Sequence, residues 1–142
     1  MEAVTFCIVA AVLIFNSVYD IRFRQTNTIS IYSAIVVVGI MKIRGLVETG
    51  NLLYGLLGAA AFAFLLICVH KLLNNGIGGG DFDIVYLIFV GSGMAGVIQS
   101  LIIGLFAAVL YSVITGKKAK DAIPLVPFIT FGYLINLWGV LF

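Results

Sequence analysis

The chain has 142 residues, of which 63% are hydrophobic and 10% are charged, and its mean hydropathy is +1.22. A soluble domain of this length does not need so much apolar sequence, so we expect most of the surface to face lipid. The formal net charge of +2 is too small to indicate nucleic-acid binding. We therefore expect a single integral membrane domain over residues 1–142 and no soluble domain.

Long apolar runs separated by short polar breaks predict an all-α membrane bundle of six transmembrane helices. Glu2 is the only charge before the first run, which favours a retained membrane helix over a cleavable signal peptide. Gly91-Ser92-Gly93 predicts a bend between the fourth and fifth helices, and Pro124 suits the first turn of the sixth. The predicted ranges, in chain order, are 3–19, 28–41, 52–73, 82–90, 95–115 and 124–142.

The basic residues are distributed unequally between the two ends of such a bundle. Six helices place Arg22, Arg24, Lys71, Lys117, Lys118 and Lys120 on one side. The other side has only Lys42 and Arg44, which fall in a predicted loop from Lys42 to Asn51. The positive-inside rule then predicts that the first side is cytoplasmic, with both termini outside.

The segment Gly76-Ile77-Gly78-Gly79-Gly80-Asp81-Phe82-Asp83 interrupts the apolar sequence with glycines and two carboxylates. A glycine-rich backbone cannot keep its amides hydrogen-bonded in hydrocarbon, and an ionised carboxylate there costs several kcal/mol unless it is solvated or paired. An acidic residue at membrane depth is therefore a candidate functional residue. The simpler interpretation is a turn between two helices.

Asp20, at the end of the first predicted helix, falls on the same side as Asp81. Two carboxylates that approach closely at low dielectric do not both ionise readily, so one stays protonated and the other charged. The charged one can then take a proton from water while the neutral one polarises a peptide carbonyl. Taken alone, Asp20 also fits a solvated helix end beside Arg22 and Arg24.

No metal site or cofactor is indicated. His70 is the only histidine, and Cys7 and Cys68 form no Cys-x-x-Cys pair.

Three motifs resemble those of the type IV prepilin peptidases, especially the small enzymes that serve Flp/Tad-type pili, which are polytopic aspartyl peptidases of the Gly-x-Gly-Asp type. Asp20-Ile21-Arg22-Phe23-Arg24 resembles their Asp-Leu-Arg motif after the first helix. Gly76-Ile77-Gly78-Gly79-Gly80-Asp81 is similar to their Gly-x-Gly-x-Gly-Asp loop. Pro124-Leu125-Val126-Pro127-Phe128 with Gly132 resembles their late Pro-x-x-Pro-Phe motif.

The resemblance implies an endopeptidase of a bacterial or archaeal cytoplasmic membrane that removes the basic leader peptide of a prepilin-like membrane protein at the cytoplasmic face. It implies that Asp20 and Asp81 are the catalytic pair and that Gly76, Gly78, Gly79, Gly80 and Asp83 belong to the active-site loop. Pro124 and Pro127 would support a substrate groove. Larger members have a cysteine-rich insertion and methylate the product; this chain lacks the insertion, so we expect no zinc.

The chain departs from the family pattern at two places, and three other functions stay open. Gln25-Thr26-Asn27 lacks the proline of an Ile-Pro-Asn motif, and Asp83 stands where the family often has lysine. One alternative is a proton- or cation-coupled transporter component using the three aspartates. The others are a non-catalytic factor in pilus or secretion assembly and an inactive homologue. The oligomeric state is not predicted.

Overall fold

The computed structural model describes residues 2–72, 79–116 and 123–141, and within them the fold is all-α, as predicted. The five helices are α1 (Glu2–Phe23), α2 (Thr28–Glu48), α3 (Leu52–Leu72), α4 (Gly79–Thr115) and α5 (Val126–Leu141). Gly76 and Gly78 of the predicted active-site loop lie outside the described residues, as does the basic cluster from Lys117 to Lys120.

The first four helices are long and apolar enough to cross a membrane, which supports the membrane prediction. The shorter apolar part of α5 covers Val126–Gly139. The predicted count of six spans is not confirmed, because four helices are long and apolar enough to cross a membrane and the fourth and fifth predicted helices are joined in one element, α4, of 37 residues.

A single residue breaks the helical geometry of α4. Gly93 has φ +74° and ψ −172°, a backbone conformation that glycine adopts far more readily than other residues. Before this break, Gly91 packs against Val9 near the start of α1. Asp81 lies near Asp20 at the other end of α1. The first segment of α4 therefore runs antiparallel to α1.

The segment of α4 after the break packs closely on α5. A Cβ built on Gly96 would lie 3.5 Å from the side-chain nitrogen of Asn136, and one built on Gly104 would lie 2.7 Å from the carbonyl oxygen of Phe128. Increasing residue numbers on α4 thus meet decreasing numbers on α5, so these two helices are antiparallel. The glycines let the two backbones approach closely, as in many membrane bundles.

The direction of α5 relative to α1 completes the topology. The ring of Tyr133 lies 6.2 Å from the ring of Phe6, and Thr130 is hydrogen-bonded to Ser17. Since α5 is antiparallel to α1, the two segments of α4 run in opposite directions. The predicted bend at 91–93 is confirmed, and it is a reversal of the chain.

Several helix boundaries differ from the prediction because the end of an apolar run is not the end of a helix. The predicted loop from Lys42 is wrong, since α2 continues to Glu48 and stops where Gly50 takes a positive φ of 71°. The first helix reaches Phe23, so Asp20 lies in its last turns. The last helix begins at Val126, which leaves Pro124 before it.

The buried core lies between α1, α4, α5 and one face of α2. Its fully buried side chains include Leu13, Ile31 and Tyr133. On α3 only Phe62 is buried, and its ring stacks on Phe89 of α4 at 4.1 Å. The third helix is therefore attached at the edge of the bundle.

Candidate functional site

Asp20 is held at the junction of α1 and α5. Its residue surface is 8% exposed, and it accepts a hydrogen bond from the backbone N–H of Val126, the first residue of α5. The positive charge of Arg24 also acts on it. One turn earlier, the Ser17 hydroxyl lies 2.6 Å from the Thr130 hydroxyl and joins the same two helices. Because both helices fix its position, Asp20 is not a freely solvated helix-end residue.

The segment between α1 and α2 begins with a residue in an unusual backbone conformation. Arg24 has φ +55°, the left-handed region that non-glycine residues rarely adopt, and its N–H donates to the Asp20 carbonyl at 2.8 Å. This arrangement terminates α1 in the manner usually supplied by glycine. It turns the chain back over the end of the bundle toward α2.

Buried polar groups hold the other end of that segment. Asn16 is fully buried, and its side-chain oxygen accepts a hydrogen bond from the N–H of Asn27 at 2.8 Å. Its amide nitrogen donates to the Ser30 hydroxyl at 2.9 Å. Asn27 is the N-cap of α2 and accepts from the Ser30 N–H at 3.1 Å. Residues 24–27 are therefore anchored to α1 at one end and to α2 at the other.

The glycine–aspartate motif enters the site as the first turn of α4, which begins at Gly79 rather than at the predicted Phe82. Asp81 is partly buried and interacts electrostatically with Asp20. Gly80 contacts Thr26 so closely that a Cβ there would overlap the threonine hydroxyl. The lack of a side chain at residue 80 thus lets the start of α4 approach the anchored segment.

These elements enclose a polar cavity of about 390 Å³, which we call the aspartate cavity. It contains both predicted catalytic carboxylates, and its remaining lining is hydrophilic side chains and glycine. The lining residues are Asp20, Arg24, Gln25, Thr26, Thr28, Gly79, Gly80 and Asp81. A peptide bond and a water molecule are small compared with this volume.

Asp83 faces a different part of the bundle. The Tyr32 hydroxyl of α2 donates to its carboxylate at 3.3 Å, and His70 of α3 interacts with it electrostatically. Residues two positions apart in a helix are separated by about 200° around its axis, so Asp81 and Asp83 point in nearly opposite directions. Asp83 is not among the residues that line the aspartate cavity.

Of the other residues predicted from the motifs, some line the aspartate cavity and some do not. Gly79 and Gly80 line the cavity, whereas Pro124 and Pro127 do not. Pro127 lies in the first turn of α5, so its ring contributes to the start of a helix rather than to the cavity wall. Within the described residues no group of three His, Cys, Asp or Glu side chains is placed to hold a metal ion.

Three residues that shape this region were not predicted from the sequence as site residues: Asn16, Thr26 and Tyr32. Asn16 had a visible signal, because it is an amide in the middle of an apolar run, where polar side chains are costly and often functional. Thr26 and Tyr32 had none, since each acts through a contact with a helix distant in sequence.

The fold and site define a polytopic α-helical membrane protein with a polar, dicarboxylate cavity at one end of the bundle. No protein-family model, characterised protein or solved structure matches the chain.

Proposed function

We propose that this protein is a membrane aspartyl endopeptidase that removes the leader peptide of prepilin-like substrates, with Asp20 and Asp81 as its catalytic pair. The observation that supports this most directly is the aspartate cavity, in which carboxylates from two helices share one polar space. The motifs that resemble prepilin peptidases supply the reaction class and the substrate class.

In the proposed reaction, Asp20 is the charged member of the pair. Burial disfavours a negative charge on Asp20, whereas the Val126 N–H and the positive charge of Arg24 stabilise it. For Asp81, burial and the negative charge of Asp20 both favour the neutral form. Asp20 takes a proton from a water molecule while the oxygen of that water attacks the peptide carbonyl carbon. Asp81, protonated, donates a hydrogen bond to the carbonyl oxygen as negative charge develops there. The C–N bond then breaks, and the leaving nitrogen receives a proton from the pair.

The position of the cavity fits a substrate that is itself a membrane helix with a hydrophilic leader. Asp20 lies near the end of α1 and Asp81 in the first turn of α4, so the carboxylates lie at one end of the bundle. A scissile bond just beyond a substrate's apolar helix would reach this depth. Following the distribution of Lys and Arg, the proposal assigns this end to the cytoplasm of a bacterial or archaeal membrane.

The test is to co-express candidate prepilins with the protein and to measure their cleavage as a decrease in substrate mass. We expect Asp20→Asn and Asp81→Asn each to reduce cleavage by at least a hundredfold, because proton transfer by a positioned carboxylate contributes about 10²–10⁴. Asp83→Asn is the matched control, being the same substitution two residues away on the opposite face of α4. Cleavage that persists in Asp81→Asn would refute the proposed pair, and loss only in Asp83→Asn would transfer the role to that residue.

A further inference from the structure

A second cavity lies between α2, α3 and the first segment of α4, and we call it the α2–α4 groove. Its volume is about 360 Å³, and it shares no residue with the aspartate cavity. On α2 its wall runs from Ile35 to Leu46, while Tyr86 and Phe89 contribute from α4. The helix rises about 16 Å from Ile35 to Leu46, so this wall of the groove is about three turns long.

The groove is apolar and opens at the surface of the bundle. Ile43 and Leu56, on its two rims, are 41% and 49% exposed. A Cβ built on Gly39 meets no atom within 4 Å, so the absence of a side chain there leaves open space in the groove. Water would find few polar partners in such a space, and ordered water requires two to four of them. In a membrane, the molecules available to occupy this apolar space are lipid hydrocarbon chains.

Among the described residues, Lys42 is the only charged one that lines the groove. It is half-buried, and a lysine stem can lie along apolar surface while its ammonium group reaches a polar environment. At the edge of a bilayer, a lysine attracts anionic headgroups. The groove thus combines a channel for an acyl chain with a positive charge.

The lining favours a lipid over a protein helix, because apolar walls beside one cation match an acyl chain joined to an anionic headgroup. We propose that the α2–α4 groove binds one acyl chain of an anionic phospholipid whose phosphate pairs with Lys42. This site does not depend on the proposed peptidase activity.

The test is native mass spectrometry of the full chain in detergent, titrated with equal amounts of phosphatidylglycerol and phosphatidylcholine. We expect one retained phosphatidylglycerol, favoured over phosphatidylcholine by about fivefold, the ratio that one lysine near an anionic surface supplies. Equal retention of both lipids by the unmodified protein would overturn the proposal.

Two pairs of variants locate the binding. Gly39→Leu should fill the groove and abolish retention, whereas Gly45→Leu, which also enters open space on α2 but not the groove, should not. Lys42→Gln should remove the preference for phosphatidylglycerol, and Arg44→Gln, the same charge loss two residues away, should keep it. Unchanged lipid retention in Gly39→Leu would exclude a lipid in the groove. A protein dimer that Gly39→Leu converts to monomer would also exclude it, because the occupant would then be a second copy of the chain. Thermal unfolding of each variant verifies that the chain is folded.

Discussion

The Asn16→Ala substitution tests whether a buried amide holds one wall of the aspartate cavity in place. The amide nitrogen of Asn16 donates to the Val12 carbonyl and the Ser30 hydroxyl, both at 2.9 Å, and its oxygen accepts from the Asn27 N–H at 2.8 Å. A net hydrogen bond contributes about 1 kcal/mol, and three are lost together. We therefore expect the free energy of unfolding to fall by about 3 kcal/mol.

The same substitution should release the segment 24–27, and trypsin reports this directly. Arg24 is a trypsin site at its start and Arg22 is one in the last turn of α1, and cleavage at either requires local unfolding. We expect the protein with Asn16→Ala to be cut after these residues at least tenfold faster than the unmodified protein, at a temperature where both are folded. If the peptidase proposal is right, prepilin cleavage should fall in parallel.

Ser17→Ala is the matched control for this prediction. Ser17 is the next residue on α1 and is also buried, but its hydroxyl contacts Thr130 of α5 and the Leu13 carbonyl rather than the segment 24–27. We expect a loss of about 1–2 kcal/mol and no change in the rate of trypsin cleavage. Equal trypsin rates in Asn16→Ala and the unmodified protein, or an Asn16→Ala loss below 1 kcal/mol, would refute the anchoring role.

Two glycine substitutions test close contacts of the backbone. Gly80→Ala places a Cβ on the hydroxyl of Thr26, so we expect displacement of that residue and at least a tenfold loss of prepilin cleavage. Gly45→Ala, on α2 and outside the aspartate cavity, also meets no atom within 4 Å and should keep full cleavage. A Gly80→Ala protein that cleaves as fast as Gly45→Ala would contradict this reasoning. Gly104→Ala forces α4 and α5 apart, and the expected loss of about 1–3 kcal/mol is measured by unfolding in detergent. Gly58→Ala, in open space within α3, should not lower stability, because alanine is the better helix former.

The sequence alone determined the class of the molecule and the location of its polar breaks. Long apolar runs can satisfy their backbone groups in lipid only as helices, so the all-α membrane bundle follows from composition and run length. The reversal at Gly93 was also predictable, since Gly91-Ser92-Gly93 is the one glycine-rich break within a run of 34 otherwise helix-compatible residues, 82–115. Helix ends were less predictable, because the polar sequence after Met41 stops the apolar pattern without stopping the helix.

Only the tertiary structure decided which polar groups meet. Asp20 and Asp81 are 61 positions apart, and their common cavity depends on the antiparallel packing of α1 against the first segment of α4. Asp83 was grouped with Asp81 because both directly follow the glycines of the motif. Once α4 begins at Gly79, helical geometry turns Asp83 toward Tyr32 on the opposite face. Periodicity within a run is a local property, whereas the partners of a buried polar side chain are set by helices that pack from elsewhere in the chain.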